Sequence, residues 1–219
     1  MSGNGNWDRA RWLWLLALVG GISFFAAVLQ RWDGPAIWAW KASGVSLLAL
    51  WAAFNARGRF GWMIAAVMAL GALGDWLLDA AGMMAGAAAF AAGHLVAIAL
   101  YLGNRRPRLS RSQMALALVT VPLALLIAWG LTRGAEGSGA AIGYTALVAA
   151  MAACAWASRF PRYRTGIGAM LFLASDLFIF AGAGGALSHD ITRWLVWPLY
   201  FAGQALIAWG VVATLSREA

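Results

Sequence analysis

The stretch from Phe60 to Ala80 reads FGWMIAAVMALGALGDWLLDA. It is apolar from Phe60 to Gly74 and then carries Asp75 and Asp79 near its end. At about 1.5 Å per residue, a helix of this length covers the roughly 30 Å of a bilayer's hydrocarbon core. A membrane strand would be shorter and would alternate in polarity, and this run does neither. The reading is a transmembrane helix with two carboxyls toward one end.

The same pattern repeats on both sides. Spans are expected near 12–29, 36–54, 60–80, 83–102, 113–131, 139–157, 166–186 and 193–215. Between them lie short breaks rich in turn and polar residues: Asp33-Gly34-Pro35, Asn55 to Arg59, Asn104 to Arg108, Gly134 to Gly139, Arg159 to Arg164 and Ser188 to Arg193. Of the 219 residues, 63% are hydrophobic and 11% charged, whereas a soluble domain carries about a quarter charged residues. The expected fold is all-α: a polytopic bundle of about eight transmembrane helices with short loops. It forms one transmembrane domain over residues 1–219, with no low-complexity linker. The formal charge of +8 does not indicate nucleic acid, because the arginines lie between apolar runs and not on one soluble face. Cys154 is the only cysteine, so no intrachain disulfide is expected. Arg9 and Arg11 precede an apolar run without a cleavage site, which reads as an uncleaved first helix in a bacterial-type inner membrane.

Arginine placement orients the bundle. Twelve arginines fall at the termini and in the loops after helices two, four and six. Only Arg31, Arg133 and Arg193 fall on the other side, each near an acid: Asp33, Glu136 and Asp190. By the positive-inside rule both termini are expected to be cytoplasmic. Many of the 14 tryptophans, including Trp12, Trp32, Trp38, Trp62 and Trp194, fall near helix ends, where indoles anchor at the interface.

Subtracting the loops leaves few ionisable groups inside: Lys41, Asp75, Asp79, His94 and Asp176. A charge at a helix centre costs about 2.5–3.5 kcal/mol on insertion scales, so such groups face a bundle interior or a wet cavity. Counting about 1.5 Å per residue puts Lys41 and Asp75 about 7–8 Å below the outer helix ends, and His94 and Asp176 about 15–17 Å below. Tyr200 and Gln204, spaced i, i+4 on one helix face, span about 10–16 Å. All lie in one outer-to-middle band. For Asp79 the competing reading is a solvated helix end, for Lys41 a side chain that snorkels, and for Tyr200 and Gln204 interhelical glue. His189, beside Asp190, reads as a surface loop residue. Gly74-Asp75-Trp76-Leu77-Leu78 also parallels Ser175-Asp176-Leu177-Phe178-Ile179 in a helix running the same way, which suggests a parallel four-plus-four repeat.

Several membrane chemistries lack their residues. The sole lysine is in helix two and not in a final helix, against a retinal Schiff base. Two histidines are too few for a di-iron desaturase. No phosphate-binding Gly-rich loop or metal-ligand spacing appears, and no metal site or cofactor is expected. Acid–base chemistry by two aspartates on a lipid-like substrate remains, or proton-coupled transport of a small or lipid-like solute. A third reading is a structural bundle whose polar groups only specify packing.

Here the chain resembles the YhhN-type lysoplasmalogenase family. Lys41 stands at the family's helix-two lysine. Gly74-Asp75-Trp76-Leu77-Leu78 resembles its Gly-Asp motif, and Phe90 to His94 its Phe-x-x-x-His motif. Tyr144 and Met151 match a weaker pattern in helix six. Gly168-Ala169-Met170-Leu171-Phe172 with Ser175-Asp176 resembles its Gly-Ala-x-x-Phe and Ser-Asp motif, and Tyr200-x-x-x-Gln204 its last-helix signature. The chain departs from the pattern at Ala42, Ala97 and Ile179-Phe180, positions that bear on the head group and the pocket shape. The resemblance implies hydrolysis of the vinyl ether bond of lysoplasmalogens, giving a fatty aldehyde and a glycerophospho-alcohol. It implies Asp75 and Asp176 as an acid–base pair, in either order, with His94 orienting one or relaying a proton. Lys41 would meet the phosphate of a lysophospholipid, with Tyr200, Gln204 and Asp79 contributing to substrate binding. The expected partners are that substrate and membrane lipids. Gly82-x-x-x-Gly86 and Gly139-x-x-x-Gly143 have the spacing for close helix packing, within one chain or between two copies in a homodimer.

Overall fold

The computed structural model describes residues 10–218. Among them it holds eight helices, each long and apolar enough to cross a bilayer, and no strand. They are α1 (Arg11–Gln30), α2 (Pro35–Phe54), α3 (Gly58–Ala80), α4 (Met83–Gly103), α5 (Arg111–Thr132), α6 (Ser138–Ala157), α7 (Ile167–Ala183) and α8 (His189–Arg217). The protein is an integral, multi-pass membrane protein. Arg9, counted above for orientation, lies outside the described residues.

Local chemistry sets the helix ends. Gly34, at φ 117°, turns the chain out of α1, and Pro35 then opens α2 at a position where its missing N–H costs nothing. Gly82, at φ 92°, does the same before α4. Ser110 and Gln113 form a reciprocal capping box at α5. Two ends differ from the sequence reading. A π-helical turn, Arg162–Gly166, precedes α7, which stops at Ala183 and not near residue 186. At α8, the Ser188 hydroxyl accepts from the Ile191 amide at 3.4 Å, so the helix starts at His189 and not near 193. His189 is therefore a helical residue and not a loop residue. The extra turn lengthens α8 by about 6 Å at its N-terminal end.

Helix α8 runs through the middle, packed on α1, α2, α3, α7 and the π turn, whereas α5 touches only α6 and α7. The suspected repeat has counterparts in the packing. The pairs α1–α2, α2–α3 and α3–α4 match α5–α6, α6–α7 and α7–α8, and α4–α6 matches α8–α2. Registers match as well. Lys41 and Tyr144 each lie six residues into α2 and α6. His94 and Tyr200 each lie eleven residues into α4 and α8. The match is broken by the contacts of α8 with α1 and α3, which have no equivalent at α4.

The arginine-rich loops also have structural work. Arg105 bridges Ser158, the Arg106 Nε donates to the Ser158 carbonyl at 2.6 Å, and the Arg159 Nε donates to Asn104 at 2.8 Å. These bonds tie the α4–α5 loop to the segment after α6. Of the small-residue motifs, Gly86 packs on Leu78 within the chain, while Gly139 and Gly143 face open space.

Candidate functional site

Helix α3 presents Asp75 to α8, where the Tyr200 hydroxyl donates to its Oδ2 at 2.8 Å. One turn on, the Gln204 amide donates to the Tyr200 oxygen at 3.3 Å. The small residues around Asp75 explain why the chain folds this way. A Cβ on Gly71 would come within 2.6 Å of the Gln204 amide nitrogen, and one on Gly74 within 2.8 Å of the Phe90 ring. Both glycines thus keep a bare helix face against which the partner side chains seat.

Helix α7 supplies the second carboxyl. Asp176 Oδ2 accepts from the Tyr144 hydroxyl at 3.1 Å, and Oδ1 from the Ser175 hydroxyl at 3.3 Å. The Tyr144 oxygen also lies 3.2 Å from His94 Nε2. A phenol has one proton to give. When Asp176 is a carboxylate and takes the Tyr144 proton in its hydrogen bond, His94 donates from Nε2. The result is a donor chain from His94 through Tyr144 to Asp176. Asp75, Asp176, His94, Tyr200 and Gln204 are all buried. The Phe172 ring joins the two groups, with its centroid 5.0 Å from that of His94 and 5.2 Å from that of Tyr200.

Lys41 and Asp79 belong to a shallower layer. Their side chains pair at 2.8 Å and are 17% and 32% exposed. Asp79, near the end of α3, and Lys41 thus have each other as ion-pair partners. Both line a cleft of about 350 Å³ with Arg31, Trp38, Arg193 and Trp197, at the end of the bundle opposite the described chain ends. Trp197 also packs on Tyr200, with ring centroids 5.6 Å apart, so one aromatic layer lies between this cleft and the Asp75 group. The acid beside Arg31 in sequence is not its partner. Arg31 reaches Asp190 at 2.6 Å, and Arg193 shares the same carboxylate oxygen at 2.9 Å. The physical reason is that the α1 end and the early α8 start meet in space. Asp33 instead accepts from the Trp38 indole at 2.6 Å and the Gly34 amide at 2.7 Å, and these bonds hold its carboxyl below the usual carboxylate range.

The structure places the carboxyls, histidine, tyrosine and glutamine singled out in the sequence in two neighbouring hydrogen-bonded groups. The sequence reading gave no site role to Tyr144, Ser175, Phe172, Arg31 or Arg193. Tyr144 had a usable signal, since it occupies in α6 the register that Lys41 occupies in α2. At Phe180, where the chain departs from the family pattern, the ring packs edge-on against Tyr144 with centroids 6.4 Å apart. Among the described residues no group of three His, Cys, Asp or Glu side chains is arranged to hold a metal ion.

Fold and site together define a polytopic membrane protein with two buried, tyrosine-bonded carboxyl groups beneath a charged cleft. The chain belongs to the YhhN family, whose profile matches residues 36–211. That span runs from α2 into α8 and includes every buried polar residue of the site, while α1 and Arg31 lie outside it. No curated protein and no solved structure gives a significant match.

Proposed function

We propose that the protein is a lysoplasmalogenase-type hydrolase that cleaves the vinyl ether bond of a lysophospholipid. The observation that carries this reading is the pair of buried aspartates, each held by a tyrosine hydroxyl and both flanking one aromatic wall. Protonation of the alkene carbon of a vinyl ether generates an oxocarbenium ion. Water adds to that ion, and the hemiacetal divides into a fatty aldehyde and a glycerol hydroxyl. One carboxyl delivers the proton, while the other, as carboxylate, stabilises the cation and guides the water. Glycosidases place two carboxyls against a similar cation, an analogy of chemistry and not of fold.

In this scheme the glycerophosphate enters through the cleft. Its phosphate displaces Asp79 from Lys41, and the hydrocarbon chain lies along the buried aromatic side chains. Tyr200 and Gln204 hold the attacking water or the glycerol hydroxyl. The His94–Tyr144 chain orients Asp176 or passes it a proton. The test is release of aldehyde from a vinyl-ether lysolipid by the purified protein, run beside alkyl-ether and acyl analogues. Solute flux in sealed vesicles without substrate breakdown would assign the same carboxyls to proton-coupled transport.

Two variants follow from the geometry. Tyr144→Phe removes the link between His94 and Asp176 without changing ring volume. Its kcat is expected to fall about 10–100-fold, with an altered pH profile, whereas a purely structural role would leave the profile unchanged. Lys41→Gln is expected to raise KM about tenfold or more for phosphate-bearing lysolipids, with kcat nearly unchanged. A kcat loss at constant KM would remove Lys41 from phosphate binding.

A further inference from the structure

At the other end of the bundle, where α1 starts and α8 ends, a second cleft of about 90 Å³ is lined by Arg11, Trp14, Trp51, Arg164, Trp209 and Arg217, with Ala213. Its walls come from α1, α2, the π turn and α8. None of the lining residues is an acid. The opposite cleft differs in this respect, because there Lys41 pairs with Asp79, and Arg31 and Arg193 share Asp190. Neither Arg164 nor Arg217 is paired with a carboxylate among the described residues.

The arginines are placed by aromatic packing. The Arg164 guanidinium lies over the Trp209 ring, 5.4 Å from its centroid. Trp14 meets Trp209 edge-on at 4.3 Å and faces Trp51 at 6.5 Å. The π turn brings Arg164 to this platform, and it can do so because Gly210 is bare. A Cβ on Gly210 would come within 3.0 Å of the Thr165 amide nitrogen. Two of the lining side chains carry hydrogen-bond donors with no partner among the described residues, the Trp14 and Trp51 indole N–H groups. Buried donors of this kind are normally paired, so two at one cleft favour a ligand rich in acceptor oxygens. From the cleft rim, the face of α1 that carries Leu15, Leu16, Val19 and Ile22 is exposed along the membrane.

We propose that this cleft binds the phosphate of an anionic phospholipid, with the acyl chains lying along that face of α1. Guanidinium groups and indole N–H donors match phosphate oxygens, and the described lining residues include no carboxylate to meet the ammonium of a zwitterionic head group. The site is separate from the carboxyl site and does not depend on the reaction proposed for it.

The experiment uses the full chain in neutral detergent, with thermal stability and native mass spectrometry as readouts. Phosphatidylglycerol should raise Tm and stay bound, and phosphatidylcholine should do neither. Each of Arg164→Gln and Arg217→Gln should weaken phosphatidylglycerol binding about fivefold, and the pair about 25-fold. Both positions are exposed, so the variants should fold. Arg108→Gln, an exposed arginine outside the cleft, should bind like the parent protein. The proposal is overturned by equal stabilisation with phosphatidylcholine, by an equal loss in Arg108→Gln, or by unchanged binding in the double variant. Inorganic phosphate that reproduces the Tm shift would make the ligand a free anion and overturn the lipid assignment.

Discussion

Asp75→Asn and Asp176→Asn should each lower the rate of vinyl ether cleavage by about 10²–10⁴-fold, the range expected when a positioned general acid or base is lost. Asparagine keeps the size of the side chain but can neither supply the proton nor carry the negative charge. Both residues are buried and bonded to side chains from other helices. Asp75 receives the Tyr200 hydroxyl, and Asp176 receives the Tyr144 and Ser175 hydroxyls. An amide oxygen can still accept the tyrosine bond at either position, and at 176 the amide NH2 can donate to the Ser175 oxygen, whose own proton goes to the Phe172 carbonyl, so folding should survive. The loss should fall on kcat, while KM for the lysolipid changes little. Full activity in both variants would remove the aspartates from the chemistry and the proposed reaction with them. If only one variant is inactive, that carboxyl alone carries the chemistry, and the other is needed neither as proton donor nor as charge.

The largest effect on stability should come from the crossing of α7 and α8. A Cβ on Gly168 would come within 2.7 Å of the Gly203 carbonyl oxygen and 3.0 Å of the Ile207 nitrogen. A Cβ on Gly203 would come within 2.7 Å of the Gly168 carbonyl oxygen. The obstacles are backbone atoms, which cannot rotate aside as a side chain can, so the two helices must move apart. Without a hydrophobic drive between helices in lipid, close backbone approach is the main source of their association. Gly168→Val or Gly203→Val should cost about 3 kcal/mol, seen as a fall in Tm of roughly 6–12 °C in detergent. Activity should fall as well, since Asp176 and Tyr200 sit on the two helices that separate. Gly139→Val is the matched control. Its Cβ would meet nothing within 4 Å, and its Tm should match the parent protein.

These expectations rest on features of different origin. Eight spans were readable in the chain because a bilayer imposes a length and an apolar composition on every crossing segment, and both are properties of a local window. The same reasoning picked out Asp75, His94 and Asp176, because an ionisable residue inside an apolar span is costly enough to need a reason. The i, i+4 spacing put Tyr200 and Gln204 on one helix face, and the structure shows them hydrogen-bonded to each other there. None of this required knowing which helix lies beside which.

Partners did require it. Arg31 has Asp33 two residues away and yet pairs with Asp190, because α8 starts at His189 and meets the end of α1. Lys41 finds Asp79 across the α2–α3 contact. Tyr144 became part of the site only when α6 packed beside both α4 and α7, which set its hydroxyl between His94 and Asp176. The sequence by itself determined the class of protein and its costly polar residues, since both follow from the transfer of single segments into lipid. Only the tertiary structure decided how those residues pair, because hydrogen bonds and ion pairs depend on a few ångströms between helices far apart in the chain, and local periodicity carries no record of that distance.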